Sequence, residues 1–139
     1  MRIVLSLFLV VAVTGCAKAS SAANSAASGK NPASASDGAA VYLANCSSCH
    51  QSDGKGVAGA FPPLAGNPTV TGNPVATIEI VKDGLEGRVV VGGATYSGIM
   101  PSWKHQLSDD QIASVVTYIR SAWNNNASGV SVEQVQAIK

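Results

Sequence analysis

Apolar residues run almost unbroken from Ile3 to Val13, with Ser6 the polar interruption. The run follows Met1-Arg2 and is far short of the roughly 20 residues a membrane-crossing helix needs. It has the pattern of the apolar core of an export signal, spanning 1–15. Ala17 to Ser36 is Ala, Ser, Asn, Gly and Pro with two lysines, and it carries neither an apolar period nor an aromatic residue. Such a stretch cannot bury enough surface to offset its ordering entropy, so 16–36 is expected to be a flexible tether.

Periodic sequence begins at Asp37. Asp37 is a suitable N-cap, and Ala40, Val41, Ala44 and Cys46 follow at helical spacing. Gln51 to Gly72 is rich in Gly and Pro and reads as loop. Asn73-Pro74 marks a helix start, with proline at the first helical position, and Gly84 marks the stop after about Asp83. Val89-Val90-Val91, Gly92-Gly93 and Ala94-Thr95-Tyr96 predict a small hairpin. Ser108 and Gln111 form a capping box, and Ile112, Val115, Val116 and Ile119 give the helix that follows, to about Asn124, an apolar stripe. This places a domain at 37–126 and a tail at 127–139, in which Ser131 can cap a last short helix.

Composition adds two constraints. Hydrophobic residues make up 46% of the 139 residues, a figure raised by the apolar start, and charged residues only 12%. The net charge of +1 leaves no basic surface, so no nucleic-acid partner is expected. A short ordered region with long Gly/Pro loops is also a poor builder of its own core, and something further should fill its centre.

The three cysteines, Cys16, Cys46 and Cys49, fall in two settings. Val13-Thr14-Gly15-Cys16 resembles the bacterial lipobox, which implies that Cys16 is lipidated and becomes the mature N-terminus. The alternative is ordinary cleavage at Ala17-Lys18-Ala19, which would remove Cys16 with the signal. Both readings export the chain.

Cys46-Ser47-Ser48-Cys49-His50 is a C-x-x-C-H sequence, the attachment signature of c-type haem. Each thiol adds across one vinyl group of a porphyrin, and the adjacent histidine is then held beneath the iron. A redox disulfide or half of a zinc site are the competing readings of C-x-x-C. Zinc needs two more ligands, and His105 is the only other histidine; a redox motif expects a preceding strand, whereas a helix leads in here. With the signal removed, Met100 is the only methionine. It lies in the loop Gly98-Ile99-Met100-Pro101 and is the candidate second axial ligand, with His105 as the rival. Sulfur ligation favours ferrous iron.

Taken together, Asp37 to about Asn124 resembles a class I cytochrome c. The resemblance implies an all-α fold, a few short helices wrapped around one covalently attached haem c. It is carried by C-x-x-C-H near the start, the methionine near the end, Gly38, Tyr42 and Cys46 one turn apart, and Tyr118. It implies that the first and last family helices cross at Gly38. It also implies that Pro62, in Pro62-Pro63-Leu64, accepts a hydrogen bond from His50 Nδ1, and that Leu64 packs on the haem. The segments Asp53 to Gly56, Phe61 to Asn67 and Tyr96 to Trp103 are similar to cytochrome domains serving membrane dehydrogenases, nitrite reductases and terminal oxidases. Arg88, Tyr96 and Trp103 are as consistent with packing or surface positions as with contacts to haem propionates.

The function implied is single-electron transfer between respiratory redox partners rather than catalysis, because an iron held from both sides has no open site. The expected location is the periplasmic side of a bacterial membrane, lipid-anchored or otherwise soluble there. Alternatives are a haem subunit of a larger membrane redox enzyme, or a haem-based sensor or peroxidase. Between Asp37 and Asn126, five basic residues stand against seven acidic ones, a balance of −2. Docking should therefore depend weakly on salt.

Overall fold

The capping box at Ser108 is present as a reciprocal pair: Gln111 N donates to Ser108 Oγ at 3.2 Å, and Ser108 N to Gln111 Oε1 at 2.9 Å. It starts the longest helix in a computed structural model that describes residues 34–139. The helices are α1 (Ala35–Asn45), α2 (Ser47–His50), α3 (Pro68–Thr71), α4 (Pro74–Asp83), α5 (Asp109–Ser121) and α6 (Val132–Ala137). The strands β1 (Val89–Val91) and β2 (Ala94–Tyr96) form an antiparallel hairpin with Val89 opposite Tyr96. The export signal, Cys16 and all but the end of the expected tether lie outside the described residues.

The core sits where α1 lies across α5. Ile112, Val115, Val116 and Ile119 are buried on α5, as their spacing predicts. A Cβ on Gly38 would stand 2.0 Å from the Ser114 carbonyl oxygen and 2.8 Å from Tyr118 Cβ. Only a hydrogen in that position lets the two backbones touch. One turn on, Tyr42 is fully buried and packs its ring 5.5 Å from Tyr118 and 5.0 Å from Trp123.

Several boundaries differ from the sequence reading. The first helix starts at Ala35 with Ser34 at the N-cap, so Asp37 falls in the first turn, where its charge favours the dipole. Its buried face carries Gly38 and Tyr42, with Val41 and Cys46 half-buried; Ala40 and Ala44 face solvent. Inside the predicted loop, Asn67-Pro68 starts α3 by the same capping that Asn73-Pro74 gives α4. The last family helix ends at Ser121 rather than near Asn124. Trp123 and Asn124 take φ of +52° and +66°, and Asn125 Nδ2 donates to Ile119 O and Leu64 O, turning the chain away.

Residues 127–139 are not separate from the domain. Arg120, 3% exposed, donates to Ser128 O, Val70 O and Gly72 O. Val130 N donates to Thr117 Oγ1, and Ser131 caps α6 with its own capping box to Gln134. Val130 and Val135 are buried in the same core as α5. Val130, Val132, Val135 and Ile138 lie two or three residues apart in this segment, and two of them, Val130 and Val135, complete the core.

Candidate functional site

Tyr42 in the last turn of α1 and Cys46, which caps it, lie one turn apart. Cys46 N donates to Tyr42 O at 2.8 Å, and Cys46 O then accepts from His50 N at 2.9 Å, which closes the short turn α2. The three motif side chains are thereby delivered by one continuous helical path. Tyr42 Oη donates to Gln51 O at 2.5 Å and fixes the exit from that path. Burial leaves Tyr42 with a hydroxyl that ionises only far above its usual value.

His50 is buried, and its Nδ1 lies 3.0 Å from Pro62 O. A carbonyl can only accept, so Nδ1 carries the proton and Nε2 keeps its lone pair. Burial lowers the pKa of His50, and the Pro62 hydrogen bond works in the opposite direction. Nε2 is therefore the ring nitrogen available to a metal. The Pro62 carbonyl is held in place by the loop: a Cβ on Gly56, at φ +68°, would stand 2.2 Å from Phe61 O and 2.7 Å from Pro62 O. Asn67 braces the other side, donating from Nδ2 to Pro63 O at 2.8 Å.

Burial first, and the neighbouring Cys49 second, push the Cys46 thiol up to about 11. At neutral pH it holds its proton. Addition of a thiol across a vinyl double bond places the sulfur on one carbon and a hydrogen on the other.

These residues line one cavity of about 660 Å³, within the range of sites for cofactor-sized molecules. Cys46, Cys49, His50, Pro62, Leu64 and Met100 all contribute to its wall. Most of the remaining wall is aliphatic, from Ile80 and Val81 on α4, Val115 and Ile119 on α5, and Leu107. Met100 reaches it from a loop fastened to Leu85 by two backbone hydrogen bonds of 2.9 Å. His105 is exposed and is not part of the wall. Of the three residues left aside by the sequence, Trp103 lines the cavity, whereas Arg88 is exposed and Tyr96 is buried elsewhere.

The contribution of the β hairpin was not legible as part of the site. Val89, Val90 and Val91 all border the cavity. A valine run with no polar alternation was the available signal, since a strand wet on one face alternates. The cavity thus suits a large, flat, apolar group that offers two vinyl carbons to thiols and a metal to nitrogen or sulfur.

Comparison with known proteins agrees with this geometry. The cytochrome c family profile matches residues 35–123. The cytochrome c subunit of a quinone alcohol dehydrogenase from Gluconobacter oxydans is 44% identical over 105 residues, covering 73% of this chain and 22% of that subunit. Cytochrome c-552 of Thermus thermophilus is 42% identical over 93 residues, covering 64% of this chain and 70% of that protein. The cytochrome subunit of a fructose dehydrogenase from Gluconobacter japonicus is 36% identical over 125 residues, 84% of this chain and 25% of that one. The chain spans about a quarter or less of the dehydrogenase subunits it matches. With the fold, the cavity and the C-x-x-C-H turn in agreement, the chain belongs to the cytochrome c family, as an electron-transfer domain whose Cys46 and Cys49 attach one haem c.

Proposed function

We propose that this protein is a single-electron carrier whose haem iron is ligated by His50 and Met100. It would serve respiratory redox partners from the periplasmic side of a bacterial membrane, tethered there through a lipidated Cys16. One observation carries the ligand assignment: His50 and Met100 line the same cavity as the two attachment cysteines, and His105 does not. Bound there, haem supplies a one-electron ferric/ferrous couple. The chain supplies the rest. Pro62 orients the imidazole, the Leu85 pairing fixes the methionine loop, and the aliphatic wall excludes water, which favours the reduced, less charged state.

The balance of charge supports docking that salt barely affects. Lys82 and Arg120, two of the domain's five cations, are turned inward, and Lys55 and Lys104 are paired with Asp53 and Asp83. A second reading draws on relatives named as cytochrome subunits of alcohol, gluconate and fructose dehydrogenases. In that reading the chain is the haem subunit of a membrane dehydrogenase. Co-purification of a dehydrogenase after mild detergent extraction favours it over a free carrier.

The purified protein tests the assignment directly. Its colour should survive acid–acetone extraction, and its ferric spectrum should show a near-infrared sulfur-to-iron band. M100A should lose that band and bind carbon monoxide when reduced, while H105A should change neither. Carbon monoxide binding by the unaltered ferrous protein would refute the carrier reading and point to a sensor or peroxidase.

A further inference from the structure

Lys82 lies in the last turn of α4 and is only 8% exposed. Its Nζ donates to Val135 O at 3.1 Å and also to Ile138 O. Val135 lies in the last turn of α6 and its carbonyl also accepts from Ile138 N, the residue that caps the helix, so the ammonium meets the negative end of the dipole. A buried ammonium is strongly disfavoured unless its hydrogens find acceptors. Here Val135 and Ile138 provide them.

The main chain of the same turn does different work. Lys82 O accepts from Ser102 Oγ at 2.6 Å and from the backbone nitrogens of Trp103 and Lys104, both at 3.2 Å. Asp83 takes the Lys104 ammonium at 2.8 Å. Gly84 sits so close to the following loop that a Cβ there would be 2.5 Å from Met100 O. Leu85 exchanges both its backbone hydrogen bonds with Met100. Residues 82–85 therefore carry the segment from Met100 to Lys104 largely on their backbone, while the Lys82 side chain adds a tie to Val135 and Ile138 beyond those from α5.

We propose that Lys82 is a positioning residue. It locks the segment 127–139, which lies beyond the family match, onto the end of α4, and so holds the Met100 loop against the cavity wall. The inference rests on the reading of Met100 as a ligand. Loosening α6 frees the last turn of α4, and the loop moves with it.

Imidazole titration of the ferric holoprotein reads this directly, because imidazole competes with Met100 and its apparent affinity scales with the fraction of molecules in which Met100 is displaced. K82M keeps the length of the side chain but removes its donors. It should raise apparent imidazole affinity on the order of tenfold, as expected for losing hydrogen bonds from a charged donor, with helical circular dichroism unchanged. K82R, which retains donors, should recover most of the original value. I138G leaves Lys82 intact but weakens the anchorage of the segment, and it should shift affinity in the same direction; it carries the test if K82M does not fold. Folded K82M and I138G with unchanged imidazole affinity would overturn the proposal, even if both melt earlier. Absence of the sulfur band in the unaltered protein, or an M100A variant with unchanged imidazole affinity, would instead remove the Met100 reading and this inference with it.

Discussion

Replacing Gly38 with alanine sets two opposing effects against each other at one atom. Gly38 is inside α1, and there alanine is favoured over glycine by about 1 kcal/mol from helix propensity alone. Packing argues the other way. The new methyl carbon would stand 2.0 Å from Ser114 O and 2.6 Å from Ser114 C. An ordinary carbon–oxygen contact is about 3.3 Å, so α1 and α5 must separate by roughly 1.3 Å. The atoms met are backbone in the middle of α5, not the end of a flexible side chain, so they cannot swing aside. Overpacking of a tight core costs about 1 to 3 kcal/mol, and a backbone clash belongs at the upper end. Net of propensity, G38A should destabilise by about 2 kcal/mol, which lowers the melting temperature by roughly 10 °C for a domain of this size. Thermal unfolding of the holoprotein by far-ultraviolet circular dichroism measures it. A melting temperature unchanged or raised would mean that propensity wins, and that the two helices do not cross as closely as described.

G56A should destabilise by about 2 to 3 kcal/mol in denaturant titration, since alanine at φ +68° is strained and its methyl would also strike the carbonyls of Phe61 and Pro62. Arg120→Leu removes donors to three carbonyls, Val70, Gly72 and Ser128, and should cost about 2 to 4 kcal/mol by the same assay. The Lys104 ammonium holds the exposed Asp83 carboxyl below its ordinary range. Its small contribution to stability is present above the unfolded carboxylate pKa and lost as pH falls through the lowered folded value. In K104A, an NMR titration of Asp83 should move up toward the ordinary carboxylate value. Electron-exchange rates with a small redox protein should change by less than about threefold between low and physiological salt; a tenfold fall would show that charge steers docking.

The helices whose ends carry their own punctuation were legible in the sequence. Ser108 with Gln111, Asn73-Pro74 with Gly84, and Ser131 each satisfy orphan backbone groups locally, and local chemistry is what a sequence displays. The same Asn-Pro signal at Asn67-Pro68 was obscured by the surrounding glycines and prolines. The motif residues and the Pro62 carbonyl were legible through family resemblance, and the fold brings them around one cavity. What sequence could not show was the inward turn of Lys82 and Arg120. A lone basic residue on a helix is ordinarily a solvated one. Its burial depends on carbonyls 53 and 50 positions away, a relation no window along the chain contains.

Val90 on β1 and Ile99, just before Met100, border the cavity and are 67% and 68% exposed. They form an oily lip around the opening. Covering both side chains is worth roughly 2 to 4 kcal/mol. Taken alone, a free energy of that size corresponds to a dissociation constant of about a millimolar or weaker. A complex held mainly by this lip forms and parts many times a second, so its grip sets a ceiling on how long any visitor stays and leaves the opening free for the next one.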